Sequence, residues 1–118
     1  MVENILVVDD SRVSRMLIPT IIAHANPDAT VIEASNGEEA LTKTEAKDIT
    51  IATVDLNMPG INGLELAAQL HDRFPNAKIG LLTANIQDAV KQKAQTMGIR
   101  FIPKPITEEK ILAFLTSV

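Results

Sequence analysis

Five short apolar runs alternate with five segments of helical periodicity along the whole chain, and this alternation restricts the fold more than any other feature. The runs are Ile5–Val8, Thr30–Ala34, Ile49–Val54, Lys78–Leu82 and Arg100–Ile102. The first is apolar throughout and the fourth nearly so, as strands covered on both faces require. Between the runs, apolar residues recur with a period near 3.6. Ile86, Ala89, Val90, Lys93, Ala94 and Met97 lie on one helical stripe that only Lys93 breaks, and Ile111, Phe114, Leu115 and Val118 mark one side of a last helix. Strands alternating with helices pair in parallel through right-handed crossovers, with helices on both faces. The expected fold is therefore a doubly wound α/β domain.

The punctuation between these segments agrees with their periods. Asn36 before Gly37-Glu38-Glu39 predicts an N-cap close to a capping box, and Asn62 with Glu65 and Asn85 with Asp88 repeat the pattern. Gly98 stands where a C-terminal glycine is expected. Pro19 fits badly, because it falls inside the first helix and removes a hydrogen bond there; a kink is expected. A length of 118 residues suits one domain, 1–118, and no internal repeat or linker divides it. With 46% hydrophobic residues such a chain builds a core without a staple, and with no cysteine it has none of the disulfide kind. The missing thiols also exclude thiolate catalysis and cysteine zinc sites, and are compatible with a cytoplasmic location. Membrane insertion is not expected, since no apolar stretch approaches the roughly 20 residues of a span and Met1-Val2-Glu3-Asn4 does not open a signal peptide. The net charge is −4 and no run of Lys or Arg marks a nucleic-acid face, so any control of genes is expected to act through another chain.

In open α/β sheets ligands bind at the carboxyl ends of the strands, where strand order reverses. The strand ends carry the chemistry here. The first strand runs into Asp9-Asp10, the third into Asp55, the fourth into Thr83-Ala84, and the fifth leads to Lys104-Pro105. If the first, third and fourth strands are neighbours, three carboxylates, a hydroxyl and an ammonium converge on one crevice. Clustered carboxylates resist ionising together unless a cation joins them. A set of hard oxygen ligands without histidine or thiolate favours Mg²⁺. A carboxylate in such a place can attack phosphorus and form an acyl phosphate, with the cation and Lys104 neutralising the phosphoryl oxygens.

Val8-Asp9-Asp10-Ser11, the stretch from Val54-Asp55 through Asn57-Met58-Pro59-Gly60 to Gly63, Leu82-Thr83-Ala84 and Pro103-Lys104-Pro105 together resemble the response-regulator receiver family. The resemblance covers the whole chain, which in length is similar to the single-domain chemotaxis regulators. It implies a flavodoxin-like five-stranded parallel sheet of order 2-1-3-4-5. It implies Asp55 as phosphoacceptor, with Mg²⁺ held by Asp10, Asp55 and the backbone carbonyl of Asn57 and, through water, by Asp9. Lys104 would pair with the phosphoryl oxygens, and the Thr83 hydroxyl and Ala84 amide would face them. Phe101, three residues before Lys104, matches the family's switch aromatic. A cis Lys104-Pro105 bond is expected on the same ground. Partners implied are a sensor histidine kinase or phosphotransfer protein upstream, and a downstream effector protein or fused output domain. The chain departs from the chemotaxis regulators in having Phe where they have Tyr at the switch and Asn85 two residues after Thr83, which bears on phosphoryl lifetime.

Taken singly these residues have plain explanations. An adjacent acid pair is common among 15 acidic residues, Pro59-Gly60 is a turn signal, Lys104 a solvated charge, Thr83 a cap and Phe101 core. Their conjunction at four strand ends defeats that reading. His24 and His71 have no such company and are expected on helix surfaces. A phosphatase of the haloacid dehalogenase type also uses a strand-end aspartate, but it needs a carboxylate two residues later, where Asn57 stands. A degenerate receiver serving only as an interaction module is the other rival; such chains usually lack an acid or the lysine, and this one keeps all of them. The expected activity is that of a switch that assists its own phosphorylation and dephosphorylation, not of an enzyme.

Overall fold

The computed structural model describes residues 3–84 and 88–117. Among the described residues ten elements alternate: β1 (Asn4–Val8), α1 (Arg12–Ala25), β2 (Thr30–Ala34), α2 (Gly37–Lys43), β3 (Ile51–Asp55), α3 (Gly63–Arg73), β4 (Lys78–Thr83), α4 (Asp88–Thr96), β5 (Arg100–Pro103) and α5 (Glu108–Thr116). All strand pairs are parallel, in the order β2-β1-β3-β4-β5, the flavodoxin-like arrangement expected above.

Strand alternation sorts the core into two layers. Leu6, Val8, Ala52, Val54, Ile79 and Leu81 face α2, α3 and α4, where Ala40, Leu66, Ala67, Leu70 and Ala94 complete one cluster. Ile5, Val7, Ile51, Leu82 and Ile102 face α1 and α5 and pack on Ile18, Ile21, Ile22, Ile111 and Phe114. Each fully buried Leu or Ile contributes about 1.5–3 kcal/mol relative to exposure. On this second face Gly80 leaves room that its neighbours fill, since a Cβ there would stand 2.6 Å from Ile102 Cδ1 and 2.9 Å from the Phe114 ring.

The caps form as read. Asn36 accepts from Glu39 N–H at 2.8 Å and Asn62 from Glu65 N–H at 2.9 Å. The capping box is displaced by one residue, because the Glu39 carboxylate reaches back to Ser35 N–H at 3.0 Å rather than to the cap's own amide. Gly98 takes φ +74° just past α4, and Gly60 takes φ +81° in the turn after Pro59. Asn85, Ile86 and Val118 lie outside the described residues. α1 runs unbroken from Arg12 to Ala25 with Pro19 inside it. The third strand begins at Ile51, two residues later than its apolar run; Ile49 is buried nonetheless, and the Thr50 hydroxyl accepts from Asn4 N–H at 3.1 Å. β4 and β5 each extend one residue further than read, to Thr83 and Pro103. His24 is exposed near the end of α1 and His71 half-buried on α3.

Candidate functional site

The register of the sheet brings the strand ends together. Val8 pairs with Val54 and Asp55 with Leu82, so the residues that follow β1 and close β3 lie side by side on central strands. Asp9 continues the ladder, its N–H bonded to Ala34 C=O at 3.1 Å. Asp9, Asp10 and Asp55 each offer a carboxylate oxygen within 4.8 Å of the others. Asp9 is fully buried, Asp55 is 2% exposed and Asp10 lies open to solvent. The cluster thus has two buried acids and one accessible acid.

Each buried acid is held by few groups. Asp9 Oδ1 accepts from Ser11 N–H at 2.8 Å, while Oδ2 is buried with no hydrogen-bond partner among the described residues. Lys104 Nζ stands 3.0 Å from Asp55 Oδ1. Among the described residues this ion pair is that oxygen's one contact of opposite charge, and no hydrogen bond of good geometry reaches it. Burial pushes the Asp55 carboxyl above the ordinary carboxylate range, and the neighbouring Asp9 charge pushes it the same way. Lys104 and the backbone N–H of Asn57 oppose the rise without cancelling it. A carboxylate raised by burial and by another acid is relieved by a cation. Asp9 Oδ2, without a hydrogen-bond partner among the described residues, Asp55 Oδ1, paired with Lys104, and the exposed Asp10 are a donor set that fits a hard divalent ion.

The remaining predicted residues take their places around this core. Thr83 ends β4 fully buried, and its carbonyl accepts the Lys104 N–H at 2.9 Å, which ties the ends of β4 and β5 together. Lys104-Pro105 is cis. Ala84 is exposed beyond the strand, and Asn57 is exposed in the loop after Asp55. Phe101 is half-buried on the edge strand β5, between a groove of about 500 Å³ toward α4 and one of about 300 Å³ toward α5.

Three residues beside the site were quoted in motifs or passed over without a role. Ser11 caps α1, accepting from Ser14 N–H at 3.4 Å. Arg15, one turn into α1, donates from Nη1 to the Asp9 carbonyl at 2.6 Å. Gly63 opens α3 against the backbone of Asp55 and Leu56: its N–H bonds to Leu56 C=O at 2.9 Å, and a Cβ there would lie 2.2 Å from Asp55 O. Only glycine lets α3 press so closely on the peptide of Asp55. Its signal in the sequence was a glycine directly after an N-cap, where a better helix former would otherwise serve.

The profile of the response regulator receiver domain family matches residues 5–116. The chain is 34% identical over 117 residues to the chemotaxis protein CheY of Thermotoga maritima, covering 98% of this chain and 97% of that one. It is 41% identical over 114 residues to the nitrate/nitrite response regulator NarL of Escherichia coli, covering 95% of this chain and 52% of that longer protein. Among solved structures it resembles chemotaxis protein CheY4 of Vibrio cholerae (TM-score 0.87, 26% identity, 98% and 97% covered). It also resembles a response regulator of Burkholderia pseudomallei bearing a phosphorylated aspartic acid and a calcium ion (TM-score 0.86, 33% identity, 98% and 67% covered). With the fold, the acid cluster and the paired lysine all in place, this chain belongs to the response regulator receiver domain family.

Proposed function

We propose that the chain is a phosphoacceptor switch of a two-component system, taking a phosphoryl group from a histidine kinase or phosphotransfer protein onto Asp55. The observation that carries this reading is the pairing of Asp55, buried at the end of the central strand, with Lys104 Nζ at 3.0 Å, within a cluster of three acids. In the transfer the donor's P–N bond breaks as a bond forms between phosphorus and an Asp55 carboxylate oxygen. Asp10, Asp55 and the Asn57 carbonyl would hold Mg²⁺ directly, with Asp9 assisting through water; when bound, the ion supplies positive charge against the phosphoryl oxygens. Lys104 neutralises one of those oxygens, while the Thr83 hydroxyl and the Ala84 amide donate to the others. Support for the ion comes from the buried, unpartnered Asp9 Oδ2, and from a Borrelia burgdorferi CheX–CheY complex, of similar fold (TM-score 0.85, 26% identity), that carries BeF₃ and Mg²⁺.

The new charge then changes the equilibrium of the domain. A phosphoryl group adds nearly two negative charges and strong acceptor oxygens. Thr83 and Lys104 follow it, Phe101 turns toward the space that Thr83 leaves, and the surface of α4, β5 and α5 changes. Moving a two-state element from about 1:99 to 99:1 takes roughly 5.5 kcal/mol, within reach of a buried phosphoryl meeting a lysine, a hydroxyl and a cation. The protein acts in the cytoplasm, on an effector protein or fused output domain. Val13, Met16 and Leu17 are 72%, 66% and 41% exposed on one face of α1, near the acid cluster, and form a surface on which a protein donor can rest.

Incubation with a small phosphodonor and Mg²⁺ tests this. Mass spectrometry should find one acid-stable, base-labile phosphoryl group on wild type and none on Asp55→Asn. Equal labelling of the two would refute the assignment to Asp55, and no label on either would leave the chain as an interaction module.

A further inference from the structure

We propose that Arg15 is a positioning residue for the acid cluster: by holding the Asp9 carbonyl it sets how the turn between β1 and α1 presents Asp9 and Asp10 to a divalent cation. The inference rests on the reading of the site as a cation-assisted phosphoacceptor.

Asp9 is fixed at three points. Its N–H is bonded to Ala34 C=O at 3.1 Å, its Oδ1 accepts Ser11 N–H at 2.8 Å, and its carbonyl accepts Arg15 Nη1 at 2.6 Å. The first is a continuation of the sheet and the second is local to the turn. The third ties the turn to α1, whose side on this face is anchored by buried Ile18, Ile21 and Ile22. With these three satisfied, Oδ2 is the one polar atom of Asp9 left buried without a hydrogen-bond partner among the described residues, and Asp9 belongs to the acid cluster. The Asp9 carbonyl also begins the peptide that carries Asp10, so a clamp on that oxygen fixes the orientation of both acids. A guanidinium–carbonyl bond is charge-assisted and stronger than a neutral one. Arg15 is half-buried, and among the described residues this carbonyl is its guanidinium's one partner. A surface ion pair would have taken the same side chain to a carboxylate; here it goes to the main chain of the turn.

The two effects of removing Arg15 have opposite signs. Taking a positive charge from near the cluster strengthens cation binding by simple electrostatics. Freeing the turn weakens it, because the ligands must then be ordered by the ion. Supporting groups around metal ligands typically change affinity about 10–100-fold when lost, and positioning is the larger effect here.

The test is a Mg²⁺ titration followed by backbone amide shifts, at physiological ionic strength, on wild type, Arg15→Met and Arg15→Lys. Methionine keeps helix propensity and bulk without a donor, whereas lysine keeps the charge with its donors on a single nitrogen. The expected result is about 10-fold weaker Mg²⁺ binding by Arg15→Met, an intermediate loss for Arg15→Lys, and altered Asp9, Asp10 and Ser11 amide shifts in both metal-free variants. Arg15→Met that binds Mg²⁺ as tightly as wild type, or more tightly, overturns the proposal. If wild type itself binds no Mg²⁺, the reading of the site fails, and the metal-free spectra then decide the clamp: shifts confined to residues beside Arg15 in α1 overturn it. Should Arg15→Met not fold, Arg15→Lys decides in its place, and undiminished affinity in that variant overturns the proposal.

Discussion

Asp55 carries its charge at a cost to the metal-free fold, and the direction of its pKa turns that into a stability experiment. Burial and the neighbouring Asp9 raise the Asp55 pKa above its ordinary 3.8 despite Lys104. The native state therefore holds the proton more tightly than the unfolded chain does. Its contribution to stability is fully present below pH 3.8 and is lost as pH rises through the folded pKa. Metal-free Asp55→Asn, which never ionises, should melt higher than wild type at neutral pH, with the difference shrinking as pH falls toward 3.8. A gain that persists undiminished in acid would show that it has another source. Thr53 lies two residues earlier on the same strand, fully buried, with a hydroxyl that has no hydrogen-bond partner among the described residues. Thr53→Val keeps its shape and removes the desolvated hydroxyl. It should stabilise by about 1 kcal/mol in urea unfolding and leave phosphorylation unchanged. Most of the candidate site was legible at this scale because four strand ends bear acids, a hydroxyl and an ammonium that complement one another. Arg15 and Thr53 were not legible: the partner of the first is a main-chain atom, and the anomaly of the second is an absence of partners that only packing reveals.

Lys78 shows how an element can depend on a residue far from it in sequence. At the start of β4, its ammonium donates to the carbonyls of Phe114 at 3.3 Å and Leu115 at 3.0 Å and to that of Ser117, and lies 5.9 Å from the centre of the Phe114 ring. These carbonyls close α5, where a helix leaves its acceptors unsatisfied and its dipole favours a cation. Burial, then Arg100, holds the Lys78 pKa below its ordinary 10.5. Lys78→Met should cost about 1–2 kcal/mol and raise amide exchange in the last turn of α5 while sparing its first turn. Uniform loss of protection through the domain would mean that the lysine supports the sheet instead. The sequence places Lys78 at the head of an apolar run and says nothing of this, since the run's periodicity concerns the strand and its partner lies 36 or more residues away. Asn36 and Asn62 were readable for the converse reason: a cap and its acceptor sit three residues apart.

For the whole molecule, periodicity yields a doubly wound sheet but not its strand order. Right-handed crossovers permit several orders, and 2-1-3-4-5 was implied only by the resemblance that the strand-end motifs carry. That order is what sets β1 and β3 side by side and so makes one site of Asp9, Asp10 and Asp55. The proposed switch is a property at the same scale. Thr83→Ala should still be phosphorylated at Asp55, because the nucleophile, acids and lysine remain. With a beryllofluoride mimic, wild type should shift amides across α4, β5 and α5, whereas Thr83→Ala should shift them mainly beside Asp55. Equal responses would send the signal by a route that avoids Thr83. The bond from Lys104 N–H to the Thr83 carbonyl adds a mechanical point. The two residues assigned to grip the phosphoryl group do not stand on separate supports. They are yoked across one rung of the sheet, so a pull on either is a load on both.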